Sequence, residues 1–312
     1  MKWTTPVSFE PTGPQVDRSS SLLSVGSCFS ENIGHRLRLG GVPIQVNPFG
    51  VSYNIESILN QLHQLGDGVL QTSDRWFSFN NLWHSKDHHG SFSRPTRDEL
   101  EAEITRRQLE IHPIKKDITH IFITPGTAYK WVEKSTGQTV NNCHKRPGSD
   151  FSLELIKIEN ILSDFEKVYA LWPKAQFWFS ISPVRHLKQG AVNNQKSKAT
   201  LVLAISEIVE TYERSHYFPA YEIVVDELRD YRFYDRDLVH PSPDAINEIW
   251  ERFSVLLTTD TQNMIKASEK VRNLFNHRVL HPTPESIEKH NQLVTDKISQ
   301  WEGEFKREWI RE

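Results

Sequence analysis

The chain has 312 residues, of which 37% are hydrophobic and 25% are charged, and its formal net charge is -3. This length and apolar content exclude disorder for most of the chain and allow one large domain or two small ones. Nucleic acid is not an expected partner, because a weakly acidic chain without a cluster of basic residues has no positively charged surface to bind a phosphate backbone.

The sequence also constrains the compartment. Residues 1–11 lack the apolar core of a signal peptide, and no apolar run approaches the roughly 20 residues that span a bilayer. The two cysteines, Cys28 and Cys143, do not make a disulfide framework and are expected to be reduced thiols. We therefore expect a cytoplasmic protein without a membrane span.

Short apolar runs that end in Gly or Pro alternate with segments of helical period, as in parallel strands covered by helices. Strands are expected at residues 22–25, 43–46, 118–123, 176–181 and 221–225. Helices are expected at residues 29–39, 55–65, 99–109, 151–171 and 193–212. The order predicts a right-handed βαβ series.

Two insertions and a tail accompany this series. Residues 76–83 alternate around Asn80-Asn81, and residues 129–140 alternate around Thr136-Gly137, so both segments are predicted hairpins at a sheet edge or rim. The chain after residue 244 is helical by pattern, and its charged end offers few side chains to bury. We expect residues 1–258 to form one domain and residues 259–312 to pack on it as a helical extension.

The first candidate for chemistry is a tight turn after the first strand, Gly26-Ser27-Cys28-Phe29, which leads directly into a helix. A hydroxyl or thiol at a helix N-terminus gains from unpaired N–H groups, which lower a cysteine pKa and stabilise an oxyanion. The alternative is that Ser27 or Ser30 caps the helix and Cys28 fills space. This motif alone leaves both interpretations open.

The second candidate is the pair Asp237-x-x-His240, which follows the last predicted strand. This spacing lets the carboxylate orient one imidazole nitrogen while the other nitrogen faces outward as a general base. The alternative is a capping Asp beside a surface His. Ligands bind at the carboxyl ends of parallel strands, so a nucleophile after the first strand and this pair after the fifth are expected at one edge.

These motifs resemble the GSCFA domain, a bacterial group similar to SGNH (GDSL-like) hydrolases. The likeness spans roughly residues 20–257. After the Gly-Ser-Cys-Phe turn it continues through Asn47-Pro48-Phe49-Gly50, Thr124-Pro125-Gly126-Thr127-Ala128, Asn142-Cys143-His144-Lys145, Ser182-Pro183-Val184-Arg185-His186, Tyr217-Phe218-Pro219-Ala220-Tyr221-Glu222 and Asp230-Tyr231-Arg232-Phe233-Tyr234. The resemblance implies an α/β fold, namely a flavodoxin-like three-layer α/β/α sandwich with a five-stranded parallel sheet.

The resemblance also implies roles for individual residues. Cys28 takes the nucleophile position, with Ser27 as the reserve nucleophile. His240 acts as general base and then acid, and Asp237 orients it. The backbone N–H groups of Cys28 and Gly50 stabilise the oxyanion.

The third sequence block departs from the SGNH pattern. Where SGNH enzymes have Gly-x-Asn-Asp, this chain has Gly126-Thr127-Ala128-Tyr129, so the oxyanion-hole asparagine is missing. Asn142 is the candidate replacement donor, and His144 from the same segment is a second candidate and a possible substrate contact.

Further polar residues are candidates for substrate binding. Ser182, Arg185 and His186 follow the fourth predicted strand, where an arginine could hold a carboxylate or phosphate. The alternative for Arg185 is a salt bridge to Asp230 or Glu222. Tyr234 lies close in sequence to the Asp-His pair, although the aromatic residues around it favour core packing.

The segment with His84, His88 and His89 invites a metal hypothesis. A His-x-x-x-His spacing suits zinc when both side chains share a helix face and a third ligand is present, whereas this segment is a predicted hairpin end. We therefore expect no metal and assign His89 to a rim that contacts substrate.

The sequence as a whole favours an acyl-ester hydrolase or O-acyltransferase. The expected substrate is a small-molecule ester or an ester of a carbohydrate or cell-envelope glycoconjugate, and an acyl donor such as acetyl-CoA is an option. No cofactor is expected, and the oligomeric state is left open. The alternatives are a ligand-binding module that has lost turnover with its altered third block, and a metal-dependent hydrolase built on the histidine segment.

Overall fold

The computed structural model describes residues 4–68 and 73–311. The strands of this part, in chain order, are β1 (Leu22–Gly26), β2 (Ile44–Val46), β3 (Trp76–Phe79), β4 (Leu82–Ser85), β5 (His120–Thr124), β6 (Tyr129–Glu133), β7 (Gln138–Val140), β8 (Phe151–Leu155), β9 (Gln176–Phe179) and β10 (Ser215–Tyr217). The α-helices are α1 (Cys28–Leu39), α2 (Ile55–Asp67), α3 (Arg97–Ile111), α4 (Ile158–Leu171), α5 (Ala191–Thr211), α6 (Ala220–Glu222), α7 (Pro243–Phe253), α8 (Thr259–Phe275) and α9 (Pro284–Phe305). Residues 1–3, 69–72 and 312, which the predicted domain bounds include, lie outside the described residues.

Five parallel strands form the central sheet in the order β10-β9-β5-β1-β2. Every residue of β1 and of β5 is buried, because helices cover both faces of the sheet and favour continuous apolar runs. The chain reverses its direction of travel across the sheet between β1 and β5, and ligands bind beyond the carboxyl ends of the strands at such a point. The predicted α/β sandwich with a five-stranded parallel sheet is confirmed.

Two helical layers enclose the sheet. On one face α2, α4 and α5 pack side by side and bury a cluster that includes Leu62, Phe165 and Leu201. On the other face α1, α7, α8 and α9 share a second cluster that includes Phe29 and Trp250. Within residues 4–68 and 73–311, no helix combines the length and the apolar character needed to cross a bilayer.

The C-terminal helices contact α1 directly. Ile265 of α8 packs on Gly40, and Trp301 of α9 packs on Gly41, at a distance that leaves no room for a methyl group on either glycine. The charged tail buries more apolar surface than its composition predicts, because its apolar residues form one helical stripe. This stripe consists of Val294, Ile298, Trp301 and Phe305.

The fifth strand differs from the prediction. The sequence predicts a strand over residues 221–225, but this segment belongs to α6 and to the π-helical turn Ile223–Leu228 that continues it. The fifth strand is β10, which has only three residues and contains a serine and a histidine. Ile223 and Val224 have strand propensity, yet they are buried as helical residues in the second cluster, so tertiary packing decides their conformation.

Both predicted hairpins are present, and one of them gains a strand. β3 and β4 meet at Asn80 and Asn81, which have φ of 48° and 59°, the left-handed pair that a tight hairpin turn requires. β6 pairs with β7 on one side and with β8 on the other. The sequence predicts helix from residue 151, but Phe-Ser-Leu-Glu-Leu alternates apolar and polar residues, and the helix begins only at Ile158.

Candidate active site

The turn after β1 requires glycine. Gly26 has φ +148°, and a methyl group on its Cα would overlap the carbonyl oxygen of Thr124 in β5. The Gly26 N–H donates to Asn47 Oδ1 at 2.9 Å, and the Ser27 N–H donates to Thr124 O at 3.0 Å. The ends of both neighbouring strands therefore fix the turn, and α1 begins at the next residue, Cys28.

Ser27 and Cys28 have different environments. Ser27 is fully buried, and its Oγ accepts a hydrogen bond from the Phe29 N–H at 3.3 Å, which caps α1. Cys28 holds the first helical position and is half-buried. Because the hydroxyl of Ser27 is already used as a cap, the geometry supports Cys28 as the residue that reaches a ligand.

The surroundings of Cys28 do not activate its thiol. Burial raises the pKa of the thiol and the Glu31 carboxylate raises it further, while the N–H groups of Cys28 and Phe29 lower it by less. The expectation of a lowered cysteine pKa is therefore wrong for the unliganded protein. The thiol is protonated at neutral pH, and a base has to remove its proton before it attacks.

Replacing Glu31 by glutamine is expected to lower the Cys28 pKa, because the substitution removes a negative charge that opposes the thiolate. The thiolate fraction at pH 7 then rises, and alkylation by iodoacetamide should accelerate by up to about tenfold, the equivalent of one pKa unit. The measurement is the rate of alkylation as a function of pH. The pH at which this rate reaches half its maximum is expected to be lower in Glu31→Gln than in the wild type. Glu101→Gln on the distant helix α3 is the control, and an unchanged midpoint in Glu31→Gln would contradict the prediction.

Asp237 and His240 form a closed turn. Asp237 Oδ2 lies 2.6 Å from His240 Nδ1, and Asp237 Oδ1 accepts from the N–H groups of Val239 and His240 at 2.9 and 3.0 Å. The bonds from His240 and Val239 lower the pKa of Asp237 to about 2. Among the described residues His240 Nε2 has no hydrogen-bond partner, and this side chain is 49% exposed. An ionised carboxylate thus orients an imidazole whose outer nitrogen can accept a proton.

The loop after β9 holds this turn in place. The Arg185 N–H donates to the Val239 carbonyl at 3.1 Å, and its Nη1 donates to the Leu238 carbonyl at 3.1 Å. The guanidinium lies 5.5 Å from the centre of the Tyr234 ring. No salt bridge joins Arg185 to Asp230 or to any other acid of the described chain. Arg185 and Tyr234 therefore lie beside the Asp-His turn.

His186 lies between the two halves of the site. Its ring meets Tyr53 edge-on with centroids 5.5 Å apart, and its Nε2 is buried against Gly126 without a hydrogen-bond partner. Burial, followed by the positive charges of Lys198 and His240, lowers the pKa of His186 to about 4. At neutral pH the side chain is therefore uncharged, and it lies within electrostatic reach of His240.

Lys198 is a buried lysine that sequence analysis did not single out. It is 1% exposed, and its Nζ donates to the carbonyls of Gly126 at 2.8 Å and Ser182 at 2.6 Å, which joins the turn after β5 to the turn after β9. Burial lowers its pKa to about 7. Its spacing from Leu201 and Ile205 on α5 was the available signal for burial. Ser182 itself is fully buried, so its predicted contact with substrate does not fit this conformation.

The segment after β4 and the segment after β7 form the opposite wall. His89 lies against the Cα of Gly50, and Asn142 Nδ2 approaches the glycine after His89. Asn142 Oδ1 accepts from the His144 N–H at 2.8 Å. His144 is buried, and its Nε2 lies 2.6 Å from a β4 carbonyl, so it faces the protein interior and its predicted substrate contact is wrong.

Most of the backbone donors near the site already have acceptors. The Gly50 N–H donates to Asn47 O at 2.7 Å, so the oxyanion role that the resemblance implies needs that bond to be shared or broken. The N–H groups of Thr127 and Ala128 also have acceptors, a carbonyl at 3.0 Å and a hydroxyl at 2.7 Å. The Cys28 N–H, at the first position of α1, has no acceptor outside its own residue in the described part of the chain.

The histidines of the first hairpin point inward. His84 is bonded through both ring nitrogens, to Ser93 Oγ at 2.7 Å and to Phe79 O at 3.0 Å. His88 is buried between Phe49 and Phe92. No group of three His, Cys, Asp or Glu residues within 4–68 and 73–311 is arranged to hold a metal ion. Two of the three histidines of the metal hypothesis, His84 and His88, are therefore engaged inside the protein.

Cys28 and His240 lie at the same sheet edge but are not hydrogen-bonded to each other. Tyr53 and His186 lie between them: Cys28 contributes to a raised pKa of Tyr53, which results first from burial, and His240 contributes to the lowered pKa of His186. The structure thus brings the sequence-predicted nucleophile and Asp-His pair to one edge without closing them into a contact.

Comparisons with known proteins find a family model and a solved structure that each cover most of the chain. The model of the GSCFA family matches residues 21–253. A solved structure of a family 3 carbohydrate esterase from Clostridium thermocellum is similar with 9% sequence identity and a TM-score of 0.37, covering 80% of this chain and 98% of that one. No curated protein matches the sequence. The family match is the comparison on which further inference rests.

Proposed function

The chain belongs to the GSCFA family, and from that premise we propose that it is an SGNH-like ester hydrolase or O-acyltransferase with Cys28 as nucleophile. One observation carries the proposal. The outer nitrogen of an imidazole oriented by Asp237 is free at the sheet edge where a half-buried cysteine begins the first helix. An acid, an oriented histidine and a nucleophile at a helix N-terminus are the parts that nucleophilic acyl transfer needs.

In the first half of the proposed reaction, His240 Nε2 takes the thiol proton and Cys28 Sγ forms a bond to the ester carbonyl carbon. The carbonyl electron pair moves to oxygen, and the Cys28 N–H donates a hydrogen bond to that oxyanion. The intermediate collapses with cleavage of the C–O bond, and the departing alcohol receives the proton from His240. Asp237 keeps the imidazole in place, and a thioester on Cys28 remains.

In the second half, water or an acceptor alcohol attacks the thioester while His240 again takes the proton, and the thiol is regenerated. A thioester passes its acyl group readily to an alcohol, so transfer stands beside hydrolysis. Catalytic hydrogen bonds often form only when substrate binds. The lack of a hydrogen bond between Cys28 and His240 is therefore compatible with an enzyme that has no substrate bound. The SGNH resemblance favours an ester of a carbohydrate or cell-envelope glycoconjugate.

We also propose a reducing, cytoplasmic compartment for this reaction. Both cysteines of the chain, Cys28 and Cys143, are free thiols in the structure. A nucleophilic thiol works only while it stays reduced, which agrees with a compartment that keeps thiols from forming disulfides.

A screen of p-nitrophenyl acetate and acylated sugars tests the proposal, with intact-mass measurement to detect an acyl group on the protein. Ser27→Ala is expected to keep the acyl adduct and to lose about 1 kcal/mol of stability, because it removes a helix cap and not the nucleophile. Cys28→Ala is the matched variant in the same turn, and an acyl adduct that survives in it would show that Cys28 is not the nucleophile.

The alternative is a module that binds a ligand at this edge of the sheet without turning it over. Two observations favour it: the third block lacks the asparagine, and the Gly50 N–H is bonded to Asn47. Its signature is an acylated sugar that binds, raises the melting temperature and is recovered intact, with no mass added to the protein.

A further inference from the structure

Ester cleavage creates an oxyanion, and this site lacks one of the donors that SGNH enzymes aim at it. The Cys28 N–H lies at the start of α1, but the third block has Ala128 in place of asparagine. The N–H groups of Gly50, Thr127 and Ala128 already have acceptors. The donor therefore has to come from a side chain: Asn142 is one candidate, and Tyr53 is a second, which lies outside the sequence blocks of the resemblance.

The backbone of Tyr53 is hydrogen-bonded to the third sequence block, which begins at Gly126. Its carbonyl oxygen accepts hydrogen bonds from the N–H of Gly126 at 2.7 Å and of Thr127 at 3.0 Å, and the next residue, Asn54, forms a bridge with Thr127. The segment between β2 and α2 is thereby fixed against the turn after β5. The Tyr53 side chain therefore starts beside the backbone of Gly126 and Thr127, the first two residues of the third block.

The Tyr53 side chain reaches into the site. Its ring meets His186 at an interplanar angle of 72°, and the residue is 40% exposed. Among the described residues its hydroxyl has no hydrogen-bond partner, so the proton is available to a ligand. Burial, and then the charges of Cys28 and Glu31, raise the Tyr53 pKa, which keeps the hydroxyl protonated at neutral pH. The N–H of the preceding residue, Ser52, donates to the Gly26 carbonyl at 3.0 Å, so the backbone beside Tyr53 is also fixed against the turn that carries Cys28.

We propose that the Tyr53 hydroxyl donates the hydrogen bond that the third-block asparagine supplies in SGNH enzymes, so that Tyr53 and the Cys28 N–H form the oxyanion hole. The inference rests on the proposed function, because the oxyanion arises only when Cys28 attacks an ester. Such a bond strengthens as negative charge develops on the carbonyl oxygen. Its contribution therefore lies in turnover and not in substrate affinity.

The test is Tyr53→Phe, which keeps the ring on His186 and removes only the hydroxyl. We expect kcat for p-nitrophenyl acetate to fall about 100- to 1,000-fold, the usual effect of deleting one oxyanion donor, with little change in KM. The alkylation rate of Cys28 by iodoacetamide should stay at the wild-type value, because a neutral hydroxyl does not set the charge on the thiol. Tyr212→Phe, at the end of α5 where the chain approaches the amino end of β10 and thus the opposite edge of the sheet, is the control.

A second measurement addresses the oxyanion itself. A trifluoromethyl ketone forms a bond between Cys28 Sγ and its carbonyl carbon, and the thiol proton passes to His240. The adduct oxygen then carries the negative charge, so Tyr53→Phe should bind this probe about 100-fold more weakly than wild type. If Tyr53→Phe keeps the wild-type kcat and probe affinity while Cys28→Ala is inactive, the proposal for Tyr53 is wrong and the proposed function still stands. Full turnover by Cys28→Ala would overturn the proposed function as well.

Discussion

Replacing His240 by alanine is expected to reduce kcat for ester turnover by about 10,000-fold, because in the proposed reaction its outer nitrogen takes the proton from Cys28. His186, an imidazole within electrostatic reach of His240, has its Nε2 buried against Gly126 and a pKa of about 4, so it is a weak base in an inaccessible position. The residual rate should come from substrate binding and the oxyanion donors. Single-turnover measurements separate the chemical step from product release.

The pH dependence of this reaction sharpens the prediction. Bonds from His240 and Val239 lower the Asp237 pKa to about 2, so this carboxylate stays ionised throughout the range in which the protein is assayed. Loss of activity on acidification above about pH 4 must then come from protonation of another group. Asp237→Asn should reduce kcat by a similar factor, because an amide no longer favours the productive ring tautomer. His281→Ala, at an exposed histidine after α8, is the control, and an equal loss in that variant would contradict the assignment.

Gly26→Ala is expected to have the largest effect on stability, a loss on the order of 3 kcal/mol, because backbone strain and overpacking both contribute. Gly26 has φ +148°, which side-chain-bearing residues rarely adopt, and the added methyl would overlap the Thr124 carbonyl oxygen. Relief of that overlap would move β1 away from β5. Urea unfolding measures the change in the free energy of unfolding.

The control for this variant is Gly148→Ala, at a glycine with no neighbour within 4 Å of an added Cβ and no left-handed φ. We expect Gly148→Ala to unfold near the wild-type midpoint. A Gly26→Ala protein with the wild-type midpoint would show that the backbone relaxes at this turn without cost. In that case the first glycine of the motif would not be needed for the position of the nucleophile.

The sequence predicts the interior strands and the β2 edge better than the β10 edge of the sheet. β1, β5 and β9 are enclosed by helices on both faces, so burial imposes the continuous apolar runs that identify them. β10 is a short edge strand with polar residues and carries no such run. Residues 221–225 have the composition of a strand but are helical, and Ile223 and Val224 are buried in the second cluster together with residues of α7. Local pattern therefore fails where long-range packing decides the conformation.

The same distinction applies to the site. The contact between Asp237 and His240 is local, three residues apart on one turn, and its spacing alone predicts it. The place of Tyr53 depends on hydrogen bonds to Gly126 and Thr127, which are more than 70 residues away and leave no local pattern. His144 shows the opposite error, since its position after the hairpin suggests a donor while its side chain is bonded inside the protein. Residue type and order predict which chemistry is present, but not which side chains face the ligand.

The contact between the far end of the chain and α1 ties catalysis to a region with no catalytic group. Cys28 is the first residue of α1, and the glycine pair that ends this helix is held by Ile265 and Trp301. A rigid helix transmits a tilt at one end to the other, so α8 and α9 would set the orientation of the Cys28 thiol in the proposed reaction. Shortening the protein from its C-terminus is therefore expected to impair that reaction even though every proposed site residue is kept.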